Sequence, residues 1–232
     1  MVVDKRTYGL KTAIERKLLK NVEVVTEDES RVMEAAFIMD AVDDFMTHHK
    51  GMRYEGMLPK LAIFGPKKDT LRKEIYAAVV KAIAKHGLTA RSVLINVEDS
   101  GSDEIHEFNL LDTPESEKQF ILLVGKGREG WNCRSLFGVA LYRKPRSAVF
   151  VLQATMRCLR SIDQPPQRTG RIYLSRACKS ILDAELLANY KLTVDGTSSP
   201  SPPSQAPPGP TCPPPDQALP PALGRWLSLA GC

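Results

Sequence analysis

From residue 59 onward, short apolar runs alternate with longer stretches in which apolar residues recur every three or four positions. Lys60 to Phe64 (KLAIF) ends at Gly65-Pro66 and predicts a buried strand. Over 69–86, Leu71, Ile75, Val79 and Ile83 fall on one helical face with Lys and Arg between them, and Gly87 supplies the stop. Residues 92–96 (SVLIN), 119–124, 136–142 and 171–174 (RIYL) predict four further strands, and 150–162 and 176–190 predict helices. A polar stretch, 98–107, follows the second strand. Upstream, Met33, Phe37, Ala41 and Phe45 space a helix over 30–46, capped by Ser30 and covering the sheet. Strands alternating with helices predict an α/β, doubly wound, mostly parallel sheet, with ligand groups at the carboxyl ends of its strands.

The last segment breaks this pattern. Eleven of the 17 prolines lie between Pro200 and Pro221, so 196–232 is expected to be a disordered or extended proline-rich tail. It reads as an appendage, although Pro207 to Pro210 has the spacing of a ligand for an aromatic-lined groove.

The net charge of +5 conceals an asymmetry. Residues 1–125 carry 18 Lys/Arg against 21 Asp/Glu, whereas 126–196 carry 13 against 5. A basic second half points to a polyanion. The five cysteines, at 133, 158, 178, 212 and 232, form no C-x-x-C pair and read as reduced thiols of a cytoplasmic protein. No run approaches the ~18 apolar residues of a membrane span, so no membrane partner is expected. His48, His49, His86 and His106 have no partners assignable from spacing, and no metal site is predicted.

The chemistry concentrates in residues 120–160. An apolar run (Phe120 to Val124), a loop with Gly125, Gly127 and Gly130, and a second apolar run (Phe137 to Tyr142) lead to Gln153-x-x-x-Arg157-x-x-Arg160. If 151–161 is helical, steps of four and three put Gln153, Arg157 and Arg160 on one face. Two forked guanidinium groups there suit phosphate.

These residues resemble superfamily 2 helicases. Lys126-Gly127-Arg128-Glu129-Gly130-Trp131-Asn132 looks like their motif V, and Gln153-Ala154-Thr155-Met156-Arg157-Cys158-Leu159-Arg160 like motif VI, Q-x-x-G-R-x-x-R. Met156 stands where glycine is usual, and Asn132 where aspartate is usual. The resemblance is to DEAD/DEAH-type helicases allied to type III restriction enzyme Res subunits, and runs from about Tyr8 to Tyr190. It implies a RecA-like C-terminal lobe (28–195) of the P-loop NTPase type, preceded by an inter-lobe connector (1–27).

Carried over residue by residue, the resemblance makes Arg157 and Arg160 arginine fingers, the catalytic pair. It makes Gln153, Gly130 and Asn132 nucleotide-binding, with Asn132 near the ribose. Gly127, Arg128 and Glu129 would lie at nucleic acid. Arg143, Lys144 and Arg146, three cations at a strand end, suit phosphate contact in their own right, and equally a solvated charged turn. Trp131 reads as a core residue.

A complete motor needs G-x-x-x-x-G-K-[ST] for the phosphates and an acidic pair for Mg²⁺. Gly65-Pro66-Lys67-Lys68 lacks the second glycine and the hydroxyl, and Gly125-Lys126-Gly127 has no following Lys-Ser. The chain is therefore expected to begin at the junction between lobes. It would engage ATP and Mg²⁺ only with a first RecA-like lobe, in cis or in trans, and not hydrolyse ATP alone. DNA or RNA is the expected polymer. A second reading keeps the fold as a non-enzymatic nucleic-acid-binding module. A Rossmann-type dinucleotide site is set aside because no Gly-x-Gly-x-x-Gly follows the first predicted strand. Asp183 and Glu185 lack the Glu-x-Lys arrangement of a nuclease.

Overall fold

The computed structural model describes residues 10–125, 131–142, 147–162 and 166–190. Its core is one sheet of six parallel strands in the order β1-β6-β5-β2-β4-β3. These are β1 (Asn21–Glu27), β2 (Lys60–Phe64), β3 (Val93–Asn96), β4 (Phe120–Leu123), β5 (Leu136–Leu141) and β6 (Thr169–Ser175). The central strands β2, β4 and β5 are buried along their whole length. That is why they read as unbroken apolar runs and not as alternating ones.

Alternate residues face opposite layers. Leu61 and Ile63 join Phe37, Phe45, Val79 and Ile83 in one core. Ala62 and Phe64 join Phe150, Val151, Leu182 and Leu186 in the other. The first layer is α2 (Ala35–His49) and α4 (Tyr76–Ala84), and the second is built chiefly from α6 (Ala148–Thr155) and α7 (Arg176–Tyr190). A short helix α1 (Leu10–Glu15) leads into β1, and α3 (Lys68–Thr70) continues through a π turn, Leu71–Ile75, into α4. At Gly138 the sheet and α2 approach closely. A Cβ there would lie 2.7 Å from Leu61 Cδ1 and 3.0 Å from Phe45 Cδ2.

The structure differs from the sequence expectations in several places. Residues 21–27, expected to belong to the connector, form edge strand β1, paired in register with β6 from Asn21–Thr169 to Glu27–Ser175. The predicted polar stretch contains α5 (Ser102–Asn109), where the Gly101 N–H donates to the Glu104 carboxylate. The expected helix over 30–46 starts at Ala35 after a 3-10 turn (Arg31–Met33), and Ser30 makes no side-chain cap. The expected helix over 150–162 is α only over Ala148–Thr155 and tightens to a 3-10 turn, Met156–Leu159. The proline-rich tail lies outside the described residues.

Candidate functional site

Helix α6 is capped by Ser147, whose Oγ accepts from the Phe150 N–H at 3.3 Å. At its other end Thr155 Oγ1 donates back to Val151 O at 2.7 Å, and the Cys158 thiol donates to Thr155 O at 3.0 Å. Tightening to a 3-10 turn changes the direction of each later side chain. Arg157 leaves that turn buried, at 9% exposure, and Arg160 follows in extended conformation. The single α face expected to carry Gln153 with both arginines is therefore not built. Gln153 is exposed on α6, outside the hydrogen bonds that gather the arginines.

Those bonds converge on one atom. Arg157 Nη1 and Arg160 Nη1 each donate to the carbonyl oxygen of Trp131 at 2.7 Å. Arg160 Nη1 also donates to Asn132 Oδ1 at 2.9 Å. Trp131 is 8% exposed, with its ring 5.1 Å from that of Phe108, so its carbonyl is fixed by core packing. Burial and the neighbouring charge of Arg160 pull the Arg157 guanidinium below its ordinary value, yet a guanidinium is basic enough for Arg157 to keep its charge. Asn132, a neutral amide, accepts from Arg160 without neutralising it. An oxyanion entering here would meet charge-assisted donors and relieve their mutual repulsion.

The cluster lies at the amino ends of β1, β5 and β6, not at the carboxyl ends as expected. The loop leaves the carboxyl end of β4, but Trp131 and Asn132 lie on its far limb, just before β5. Arg160 forms an antiparallel bridge with Leu19, immediately ahead of β1. Sequence reasoning missed two residues that hold this edge. Lys20, fully buried, donates through Nζ to Arg134 O at 2.6 Å and Leu136 O at 2.8 Å. Gln167 Nε2 donates to Ile14 O at 2.8 Å and Leu19 O at 2.7 Å. A lysine beside the apolar-polar run NVEVV gives no sequence signal of burial. The remaining expected site residues, Gly127, Arg128, Glu129, Gly130, Arg143, Lys144 and Arg146, lie outside the described residues.

Two guanidinium groups and an amide form a donor set able to meet an oxyanion or a hydroxyl oxygen. Among the described residues no group of three His, Cys, Asp or Glu is placed to hold a metal. His49 is buried, which lowers its pKa to about 4, and His86 pairs with Asp43.

No protein-family model matches the chain, and no curated protein matches its sequence. Solved structures do share its fold. The second domain of the DEAD-box helicase Mss116p, bound to an RNA duplex, superposes with a TM-score of 0.53 at 12% identity, covering 80% of this chain and 66% of that one. The C-terminal domain of the DEAD-box protein Dbp5 gives 0.46 at 14% identity, over 76% of this chain and 88% of that one. The ATP-dependent Type ISP restriction-modification enzyme LlaBIII, bound to DNA, gives 0.47 at 16% identity, over 72% and 13%. The chain thus spans just under two thirds of the Mss116p chain and a small part of the restriction enzyme. The six parallel strands and the Mss116p superposition show a RecA-like α/β fold, the fold of that helicase's second domain. No helix among the described residues is long and apolar enough to cross a membrane.

Proposed function

We propose that this chain acts as the second RecA-like lobe of an ATP-dependent superfamily 2 nucleic-acid motor, of the type allied to type III restriction Res subunits. The observation that carries the reading is the convergence of Arg157 and Arg160 on the Trp131 carbonyl. It joins the two segments that resemble motifs V and VI through one atom. In the proposed reaction, a first lobe, on the same or another polypeptide, holds the triphosphate and its Mg²⁺. Arg157 and Arg160 donate to the phosphoryl oxygens as charge develops on them. Asn132 orients Arg160 and lies beside the ribose. The segments around 127–130 and 143–146 supply phosphate contacts to DNA or RNA.

The fixed carbonyl preorganises the two guanidinium groups before nucleotide arrives, so little reorganisation remains for the chemical step. The test is reconstitution. The chain alone hydrolyses no ATP. Joined to a first lobe that carries the phosphate loop and acidic pair, it restores DNA-stimulated hydrolysis. Lack of rescue when the two lobes demonstrably associate would refute the proposal.

The second reading, a non-enzymatic nucleic-acid-binding module, draws on the basic balance of residues 126–196, 13 Lys/Arg against 5 Asp/Glu. It predicts salt-dependent DNA binding with no hydrolysis under any pairing.

A further inference from the structure

Lys20 precedes β1, on the segment that enters the lobe, and touches both halves of the arginine site. Its backbone N–H donates to Leu159 O at 2.7 Å, one residue before Arg160. Its side chain turns inward, and Nζ donates to Arg134 O and Leu136 O, just beyond Trp131 and Asn132. The ammonium also stands 4.0 Å from the centroid of the Phe137 ring. Two carbonyls and one ring face thus account for its three donors. Leu19 bridges Arg160, and Gln167 ties Leu19 O from the opposite side.

We infer that Lys20 is a positioning residue, fixing the exit of the 125–132 loop against the arginine-bearing turn so that Arg157 and Arg160 meet the Trp131 carbonyl. The inference deepens the proposed function and rests on it for its catalytic meaning. Lys20 need not touch nucleotide. It acts through the backbone carbonyls on one side and the Leu159–Arg160 segment on the other. A simpler role, a buried lysine closing the amino end of a strand, is what Lys60 performs at the start of the central strand β2. That lysine is equally buried and donates to Leu58 O at 3.2 Å and Lys118 O at 3.0 Å. Neither carbonyl belongs to the two segments joined at Trp131, so Lys60 is the internal control.

The experiment reads guanidinium signals by nitrogen NMR in the full chain. A guanidinium held by one nitrogen rotates slowly and shows separate Nη1 and Nη2 resonances, whereas a released one shows a merged signal. In the unsubstituted chain Arg157 and Arg160 should both be resolved. Lys20→Met should merge them and Lys20→Arg should restore them, while Lys60→Met should leave them resolved. Gln167→Ala, a milder change to the same segment, should broaden them if Lys20→Met does not fold. Resolved signals in folded Lys20→Met, or in Gln167→Ala when Lys20→Met is unfolded, overturn the inference. Merging in Lys60→Met as well reduces Lys20 to a stability residue and also overturns it. In the joined two-lobe protein, Lys20→Met should lower kcat at least tenfold with little change in KM for ATP. If Arg157→Ala leaves hydrolysis intact there, the lobe assignment fails, while the guanidinium signals still judge Lys20.

Discussion

Arg157 and Arg160 share one hydrogen-bond acceptor, the carbonyl oxygen of Trp131, and each lies 2.7 Å from it. Two like charges held on one neutral atom form a site that gains from an anion. The isolated chain should therefore bind inorganic triphosphate weakly at low salt. Asn132→Asp should weaken that binding about three- to tenfold, because a carboxylate beside Arg160 offsets part of the charge. Calorimetric titration with tripolyphosphate checks this, and unchanged or tighter binding would speak against the arrangement.

The buried lysines make stability depend on pH. Burial lowers Lys20 and Lys60 from 10.5 to about 8. Above that value the folded state has released protons that the unfolded chain still holds, so stability rises with pH from about 8. Buried Cys133 and Cys158 act oppositely, raised from 9.0 to about 11 and about 12. Unfolded thiols ionise first, which lowers stability above about pH 9. Denaturant titrations should show unfolding free energy increasing between pH 8 and 9, then levelling or falling. Lys20→Met should remove part of the rise, on the order of 3 kcal/mol per lysine over the full interval. A rise of equal size in Lys20→Met excludes Lys20 as its source.

The same burial makes Cys133, Cys158 and Cys178 inert. Thiolates are the reactive species, and none of the three thiols is open to solvent. A thiol reagent followed by peptide mass mapping should find these three unlabelled in the native chain. They should become labelled only at denaturant concentrations that unfold the sheet. Labelling in native buffer at the rate of free cysteine would contradict the packing around β5, the arginine turn and α7.

Gly138 tests the close approach of α2 to the sheet. A methyl group there would stand 2.7 Å from Leu61 and 3.0 Å from Phe45. Gly138→Ala should destabilise the lobe by about 1–3 kcal/mol through overpacking. A thermal midpoint equal to the parent's would mean that the two layers have room the structure does not show.

The interior of the fold was readable in the sequence because burial on both faces leaves continuous apolar runs. KLAIF, FILL and LFGVAL needed no pairing information. Strand β1 was not, since NVEVVTE carries two glutamates and gains its strand conformation from pairing along β6 alone. Helix α5 was missed because it buries little: Ile105 is 43% exposed, too weak a stripe to show a period. At the site, Arg157, Arg160 and Asn132 were found by motif spacing and are brought together. The α-helical face expected to join Arg157 and Arg160 to Gln153 was wrong because the helix tightens after Thr155. The end of the sheet was wrong because Trp131 and Asn132 stand just before β5, at the amino ends of the strands, and not beside Val124 at the carboxyl end of β4. Which backbone carbonyl the arginines meet is a property of three dimensions alone.

The most direct measurement compares two readouts on one variant, Arg157→Ala, in a protein that joins this lobe to a phosphate-holding first lobe. The expected result is a single-turnover ATP hydrolysis rate reduced at least ~10³-fold, with DNA affinity and its salt dependence nearly unchanged. Hydrolysis within a few fold of the parent, accompanied by weakened DNA binding, would mean that the paired arginines face the polymer and not the triphosphate.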